Sequence, residues 1–315
     1  MSNKILLIII CSISLTYFSN AYAQAEKSAI YNDFIKINES AKKIKDAKIQ
    51  KCTEVVINGD KEDTIKAYSY DKTGNLTQQL TISLDTNKYG KKLGAVNTSF
   101  VYDKDGHLAQ KIDTLGKAII KTTLFYDDIE NITRLEENNV AGNLLKEISY
   151  DNDELSRLTE STEINYMNNC KTVTHYSYDS YNNITKLSVK NSCQDLGDKT
   201  TVTSFGYKYD KKYNIIEKIS KYPVGATKSE TFKYDAKGNI TEAKESTGSE
   251  QYDEYVYTYD NSNNRIKVET KEISGDKTYN STQELKYDKF GNLLEVQSQD
   301  KSGDLTFKFV FEYYN

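Results

Sequence analysis

The chain has 315 residues, with 42 Lys and Arg against 46 Asp and Glu, a formal net charge of −4 and 37% hydrophobic residues. That balance offers no basic face to nucleic acid or to an anionic membrane, so no nucleic-acid partner is expected. There is no Trp, one Pro and 26 Tyr, so tyrosine rings must carry much of the packing that aliphatic side chains carry in an ordinary core.

Residues 1–23 read as a secretory signal. Lys4 precedes an apolar run from Ile5 to Leu15, and Ala21 and Ala23 supply the small residues that a signal peptidase reads. The run is short for a bilayer span, and Ile8, Ile9 and Ile10 before Cys11 are too bulky for lipoprotein processing. The mature chain is therefore expected to be secreted or periplasmic, or at the cell surface, with no stable membrane span. Residues 24–51 are predicted to form an amphipathic helix, because Ile30, Phe34, Ile37, Ala41 and Ile44 recur at helical spacing. Such a helix would cover an end or face of a sheet, or dock a partner.

Residues 52–315 carry a repeat. Tyr-Asp occurs nine times at spacings of 24 to 32 residues: Tyr70-Asp71, Tyr102-Asp103, Tyr126-Asp127, Tyr150-Asp151, Tyr178-Asp179, Tyr209-Asp210, Tyr234-Asp235, Tyr259-Asp260 and Tyr287-Asp288. Most copies continue with two variable residues, Gly-Asn or a near equivalent, then Leu or Ile, as in YSYDKTGNLT from Tyr68. Alternation before each Tyr is strand period, and Gly74, Gly106, Gly238 and Gly291, with Asn182 and Asn263, supply residues that tolerate positive φ. Each copy is thus a predicted hairpin whose Tyr-Asp pair is structural. Glu130 and Tyr213 at the glycine position predict distorted turns, and the Tyr150 copy reads as carrying two extra residues before Leu158.

Second turns are expected between copies, at Gly59, Gly90 or Gly94, Gly116, Gly142, Asn168-Asn169, Gly197, Gly225, Gly248, Gly275 and Gly303. Every period is then two strands, giving about twenty in one meander, with the chain stopping half-way through a tenth copy at Tyr313. Centring each loop predicts that Tyr178 faces Thr185 and Tyr176 faces Leu187 on the buried face. The residue after Gly-Asn, such as Leu76 or Ile132, would point the other way or tuck under the turn.

Cys52, Cys170 and Cys193 survive cleavage of the signal. A hairpin centred after Tyr178 pairs residues whose numbers sum to 363, which sets Cys170 opposite Cys193 as a candidate disulfide. Cys52 would be left free or intermolecular.

The nine copies resemble the YD repeats of bacterial RHS and wall-associated proteins and of teneurins. The resemblance covers about residues 60–315. It implies antiparallel sheets that spiral into a shell, and roles in surface adhesion, carbohydrate binding or toxin encapsulation. The chain has no toxin segment after the repeats and few strands for a capsule. The expected fold is therefore all-β: an antiparallel meander of about twenty strands forming an open, curved or partly spiralled sheet, with a short N-terminal helix.

Chemical motifs are sparse. His107 replaces a turn Asn and His175 lies in a strand, neither beside a nucleophile motif. Asp103 to Gly106 and Asp151 to Glu154 lack the spacing of a calcium loop. No catalytic residue, metal site or cofactor is predicted. The expected function is a non-enzymatic binding or adhesion scaffold for a protein or glycan partner, with a structural part of an RHS-type toxin system as the alternative.

Overall fold

The computed structural model describes residues 44–46, 48–58, 61–82, 94–193, 197–223, 225–247, 251–300, 302 and 305–314. The expected signal, most of the expected helix and the turns at Gly59, Gly90, Gly248 and Gly303 lie outside those residues.

Twenty strands follow in chain order. They are β1 (Lys51–Asn58), β2 (Lys61–Tyr70), β3 (Leu76–Ile82), β4 (Ala95–Tyr102), β5 (Leu108–Leu115), β6 (Ala118–Tyr126), β7 (Ile132–Asn139) and β8 (Leu144–Asn152). Next come β9 (Leu158–Asn165), β10 (Cys170–Tyr178), β11 (Ile184–Cys193), β12 (Gly197–Tyr209), β13 (Ile215–Lys221) and β14 (Thr227–Tyr234). The last six are β15 (Ile240–Ser246), β16 (Gln251–Tyr259), β17 (Arg265–Ser274), β18 (Lys277–Tyr287), β19 (Leu293–Asp300) and β20 (Leu305–Tyr314).

The Asp of each hairpin organises its turn. In the first copy, Asp71 Oδ1 accepts from the backbone N–H groups of Thr73 (2.8 Å) and Asn75 (3.0 Å). The Asp71 N–H reaches the Asn75 carbonyl at 2.9 Å, and the Gly74 N–H returns to the Asp71 carbonyl at 3.0 Å. Asp127, Asp179, Asp210, Asp235 and Asp288 repeat this cage, each also accepting from the Asn four residues on. Glu130 and Tyr213 adopt φ of 67° and 64° within the same hydrogen bonds. The expected distortion is therefore absent, because the carboxylate cage holds a left-handed position that costs a side chain about 1 kcal/mol.

The expectation of an open or spiralled sheet is overturned. Each strand pairs antiparallel with the next, and β20 pairs with β1 from Lys51↔Tyr314 to Ile57↔Lys308, so the sheet closes into a barrel. At the seam β20 and β1 stand side by side where a tenth hairpin would lie.

Closure follows from a constant slip between repeats. A path across the sheet from Tyr68, two before Tyr70, runs through Gln79 to Thr98, four before Tyr102. The same slip of two recurs around the barrel except from β10 to β12, where Thr174 leads through Val189 to Thr201 and the slip is four. One circuit accumulates a shear of about 22 residues, which for twenty strands gives a tilt of about 40° and a backbone diameter of about 36 Å.

The register corrects two further expectations. A bulge beside each turn pairs Tyr178 with Ile184, not Thr185, and Tyr70 with Leu76. The residue after Gly-Asn therefore shares the Tyr face. In the Tyr150 copy nothing is inserted: Asn152 pairs with Leu158 as Tyr126 pairs with Ile132, and Asp153 caps the turn. Asn152-Asp153 thus occupies the hairpin position that Tyr150-Asp151 resembles.

One face of the barrel is buried although the wall is a single sheet. Leu108 and Leu158 are 0% exposed and Ile184 1%. Convex side chains on a single sheet diverge into solvent, so this face lines the interior. Before β1, a helical turn at residues 44–46 places Ile44 and Ile49 against the same interior cluster as Tyr68, Phe100 and Leu108.

Candidate ligand compartment inside the barrel

The inner face is layered from the Tyr-Asp end upward. The base is a ring of residues that follow the turns: Leu76, Leu108, Ile132, Leu158, Ile184, Ile215, Ile240 and Leu293, all buried. Burial of each contributes about 2 kcal/mol. Tyrosine hydroxyls tie most repeats to the one before. Tyr102 donates to the Leu76 carbonyl (2.9 Å), Tyr126 to Leu108 (2.9 Å), Tyr178 to Leu158 (2.6 Å), Tyr234 to Ile215 (2.6 Å), Tyr259 to Ile240 (2.8 Å) and Tyr313 to Leu293 (2.7 Å). Where the slip is four, Tyr207 takes the Ile184 carbonyl (2.7 Å) and Tyr209 donates instead to Asp179 Oδ2 (2.5 Å). Tyr209 then packs with Tyr181 on the rim, centroids 4.8 Å apart.

Above the base lie Tyr68, Phe100, Leu124, Tyr150, Phe205, Phe232 and Leu285. The wall above them turns polar. Lys66 Nζ meets Glu54 at 3.4 Å, Lys146 meets Glu137 at 2.9 Å, and Lys228 bridges Glu245 (2.8 Å) and Glu230 (3.4 Å). Burial raises the Glu54 carboxyl above its ordinary pKa, although Lys66 opposes the shift. Asp253, directly opposite Glu245, is also raised, first by burial and then by that neighbour's charge. Near the seam, burial and then Glu54 push the Cys52 thiol up to about 12.

The outer face sets charged and polar side chains among apolar ones such as Val101, Val202 and Val256. Lys208–Glu217 (2.7 Å), Lys233–Glu242 (2.6 Å), Lys244–Glu254 (3.1 Å) and Lys286–Glu295 (2.8 Å) are directly cross-strand pairs on it.

The remaining residues marked by the sequence take structural places. Tyr70, Tyr102, Tyr126, Tyr178, Tyr209, Tyr234, Tyr259 and Tyr287 stand beside their turns, and their partner Asp residues cap those turns. Tyr150-Asp151 lies one pair earlier. Asp103 Oδ1 accepts from the Asp105 and His107 N–H groups in the same turn cage. His107 stacks on Tyr126 with centroids 5.2 Å apart, and His175 meets Glu160 at 3.1 Å on the outer wall. A disulfide joins Cys170 to Cys193, which lie opposite in register at the end away from the Tyr-Asp turns, while Cys52 is free and buried. Among the described residues no group of three His, Cys, Asp or Glu could hold a metal ion.

One inner residue escaped the sequence reading. Arg265 occupies the place that Leu or Ile fills in the other copies, pairing with Tyr259. Its guanidinium lies over the Tyr257 ring at 5.2 Å. Aligning the nine copies on their turns exposes this departure.

No protein-family model matches the chain, and no curated protein matches it. Among solved structures, similarity is found to a porin-like protein from Bacteroides uniformis, at 11% identity and a TM-score of 0.36, covering 84% of this chain and 98% of that one. A porin-like protein from Bacteroides vulgatus gives 11% identity, a TM-score of 0.29 and the same coverage. Likeness this loose carries nothing further, and the barrel rests on its own strand pairing. The resemblance to YD-repeat shells is not sustained, since the strands close on themselves and no family model matches. The adhesion, carbohydrate-binding and toxin-associated readings fall with it.

Proposed function

We propose that the protein works through its lumen, as a water-soluble barrel that holds an amphipathic guest. The carrying observation is the layered inner face: an apolar, tyrosine-tied base beneath a wall of paired charges. A guest would set its apolar part against Phe232 and Leu285 and meet charged groups of the same inner wall with its polar head.

No helix among the described residues is long and apolar enough to cross a membrane, which does not bear on spanning by strands. A closed barrel of this width is also an architecture for pores. A spanning barrel, however, needs an outward apolar band about 25 Å tall, and each Lys or Arg at mid-bilayer costs about 2–4 kcal/mol. On the outer face Glu254 meets Lys244 (3.1 Å) and Lys271 (3.5 Å) within the strands rather than at the turns, where such a band would lie. The reading therefore places the barrel in water, outside the cytoplasm if the N-terminal signal is used.

Calorimetric titration with decanol and decanoate tests this directly. Saturable binding near one guest per barrel is expected, with no conductance steps in planar lipid bilayers. Absence of binding to both probes, or regular conductance steps, would overturn the reading.

A further inference from the structure

Arg265 is the one basic side chain in a base ring otherwise built from Leu and Ile. The pairing of Tyr259 with Arg265 fixes it on the inner face, and its position over Tyr257 shows that the side chain reaches along the lumen wall. Tyr287 uses the Arg265 backbone carbonyl (3.0 Å), as the other tyrosines use a Leu or Ile carbonyl, so the change of side chain leaves the backbone tie intact. The scaffold therefore does not require arginine here.

The guanidinium is poorly served by its surroundings. The side chain is half-buried; its Nε is buried without a hydrogen-bond partner, and it makes no ion pair among the described residues. Beside it are Tyr257 and Tyr259, and Tyr257 packs against the apolar cluster of Val268, Leu285, Leu293 and Val296. A charge held in such a place is costly unless an opposite charge and hydrogen bonds meet it. The ring face of Tyr257 offsets part of that cost but supplies no acceptor for the N–H groups.

We infer that Arg265 anchors the carboxylate head of an amphipathic guest, whose apolar body lies against Val268 and Leu285. The planar fork of N–H donors suits a carboxylate, which can accept two bonds side by side. A single guanidinium balances one negative charge. A phosphate monoester would bring nearly two into an apolar base, close to Asp235 and Asp260, whose charges already act on Tyr259 and Tyr287. A monoanion fits and a dianion does not.

This inference rests on the luminal reading above, and the experiment separates the two. Wild type, Arg265→Leu and Arg265→Lys are titrated calorimetrically with decanoate, decanol and decyl phosphate. Decanoate should lose at least about tenfold in affinity in Arg265→Leu and less in Arg265→Lys, because a charged hydrogen-bonded partner is removed. Decanol should bind all three proteins alike, and decyl phosphate should bind wild type more weakly than decanoate does. Equal decanoate affinity in wild type and Arg265→Leu, with decanol still bound, would sink the anchor and leave the lumen standing. Failure of every probe to bind wild type would remove both. The Arg265→Leu barrel should melt at or above the wild-type temperature. A lower melting temperature with unchanged decanoate binding would make the arginine a structural partner of Tyr257. If Arg265→Leu does not fold, Arg265→Met carries the same comparison.

Discussion

The Tyr126 hydroxyl donates to the backbone carbonyl of Leu108, 2.9 Å away and eighteen residues earlier in the chain. That bond joins two neighbouring hairpins at the point where a bulge interrupts the ladder. Removing only the hydroxyl, as in Tyr126→Phe, leaves a carbonyl short of its donor and should cost about 1–2 kcal/mol. Urea unfolding monitored by circular dichroism measures it; an unchanged midpoint would show the tie to be dispensable.

The same tie is absent where Asn152 takes the tyrosine position. Its Oδ1 is buried with no hydrogen-bond partner among the described residues. Asn152→Tyr should restore the tie and raise stability by about 1 kcal/mol, read as a melting point about 2–4 °C higher. A lower melting point would mean that the inner wall has no room for a ring there.

Acid should weaken the hairpin turns. Asp127 and Asp210 are held below the ordinary carboxylate range first by the side-chain amides of Asn131 and Asn214, and Asp153 first by Arg157. A folded-state pKa below the unfolded value gives stability that is complete above the unfolded pKa of about 3.9 and is lost as pH falls through the folded one. Melting temperature should be flat from pH 7 to about 5 and drop below about 4. Asp127→Asn should flatten that drop in part, and an equally steep drop in the variant would show that Asp127 is not involved.

Thiol chemistry separates the three cysteines of the chain beyond residue 23. With its pKa near 12, Cys52 carries almost no thiolate at pH 8 and is also buried. Maleimide should add nothing to the native protein, one group after denaturation, and three after denaturation with reduction. Intact mass reads the count. Modification of the native protein would show the seam to be open, and three adducts without reduction would show Cys170 and Cys193 to be unbonded.

The hairpin was legible because its chemistry is local. Asp71, Gly74 and Asn75 lie within five residues, and each has one geometric task. Register at Cys170 and Cys193 is accessible for the same reason, since it needs only a loop centre and a ladder. Closure was not legible. It depends on a slip of two residues per repeat, a quantity carried by the bulges after Leu76 and its counterparts rather than by any motif. Tyr150-Asp151 misled because it matches the repeat better than Asn152-Asp153, which the ladder selects. Arg265 stood in plain view, but its meaning depends on knowing that the face it joins is the inner one.

The seam between β1 and β20 also sets a schedule. Thr53 and Glu312, bonded across it at 3.2 Å, are 259 residues apart. The first strand to be synthesised cannot find its final neighbour until the last has emerged, so its outer edge stays unpaired for nearly the whole of synthesis. Such an edge can recruit another chain. Loss of β20 would leave two edges exposed at once, so truncation near the C-terminus should produce assemblies that grow strand by strand rather than a smaller barrel.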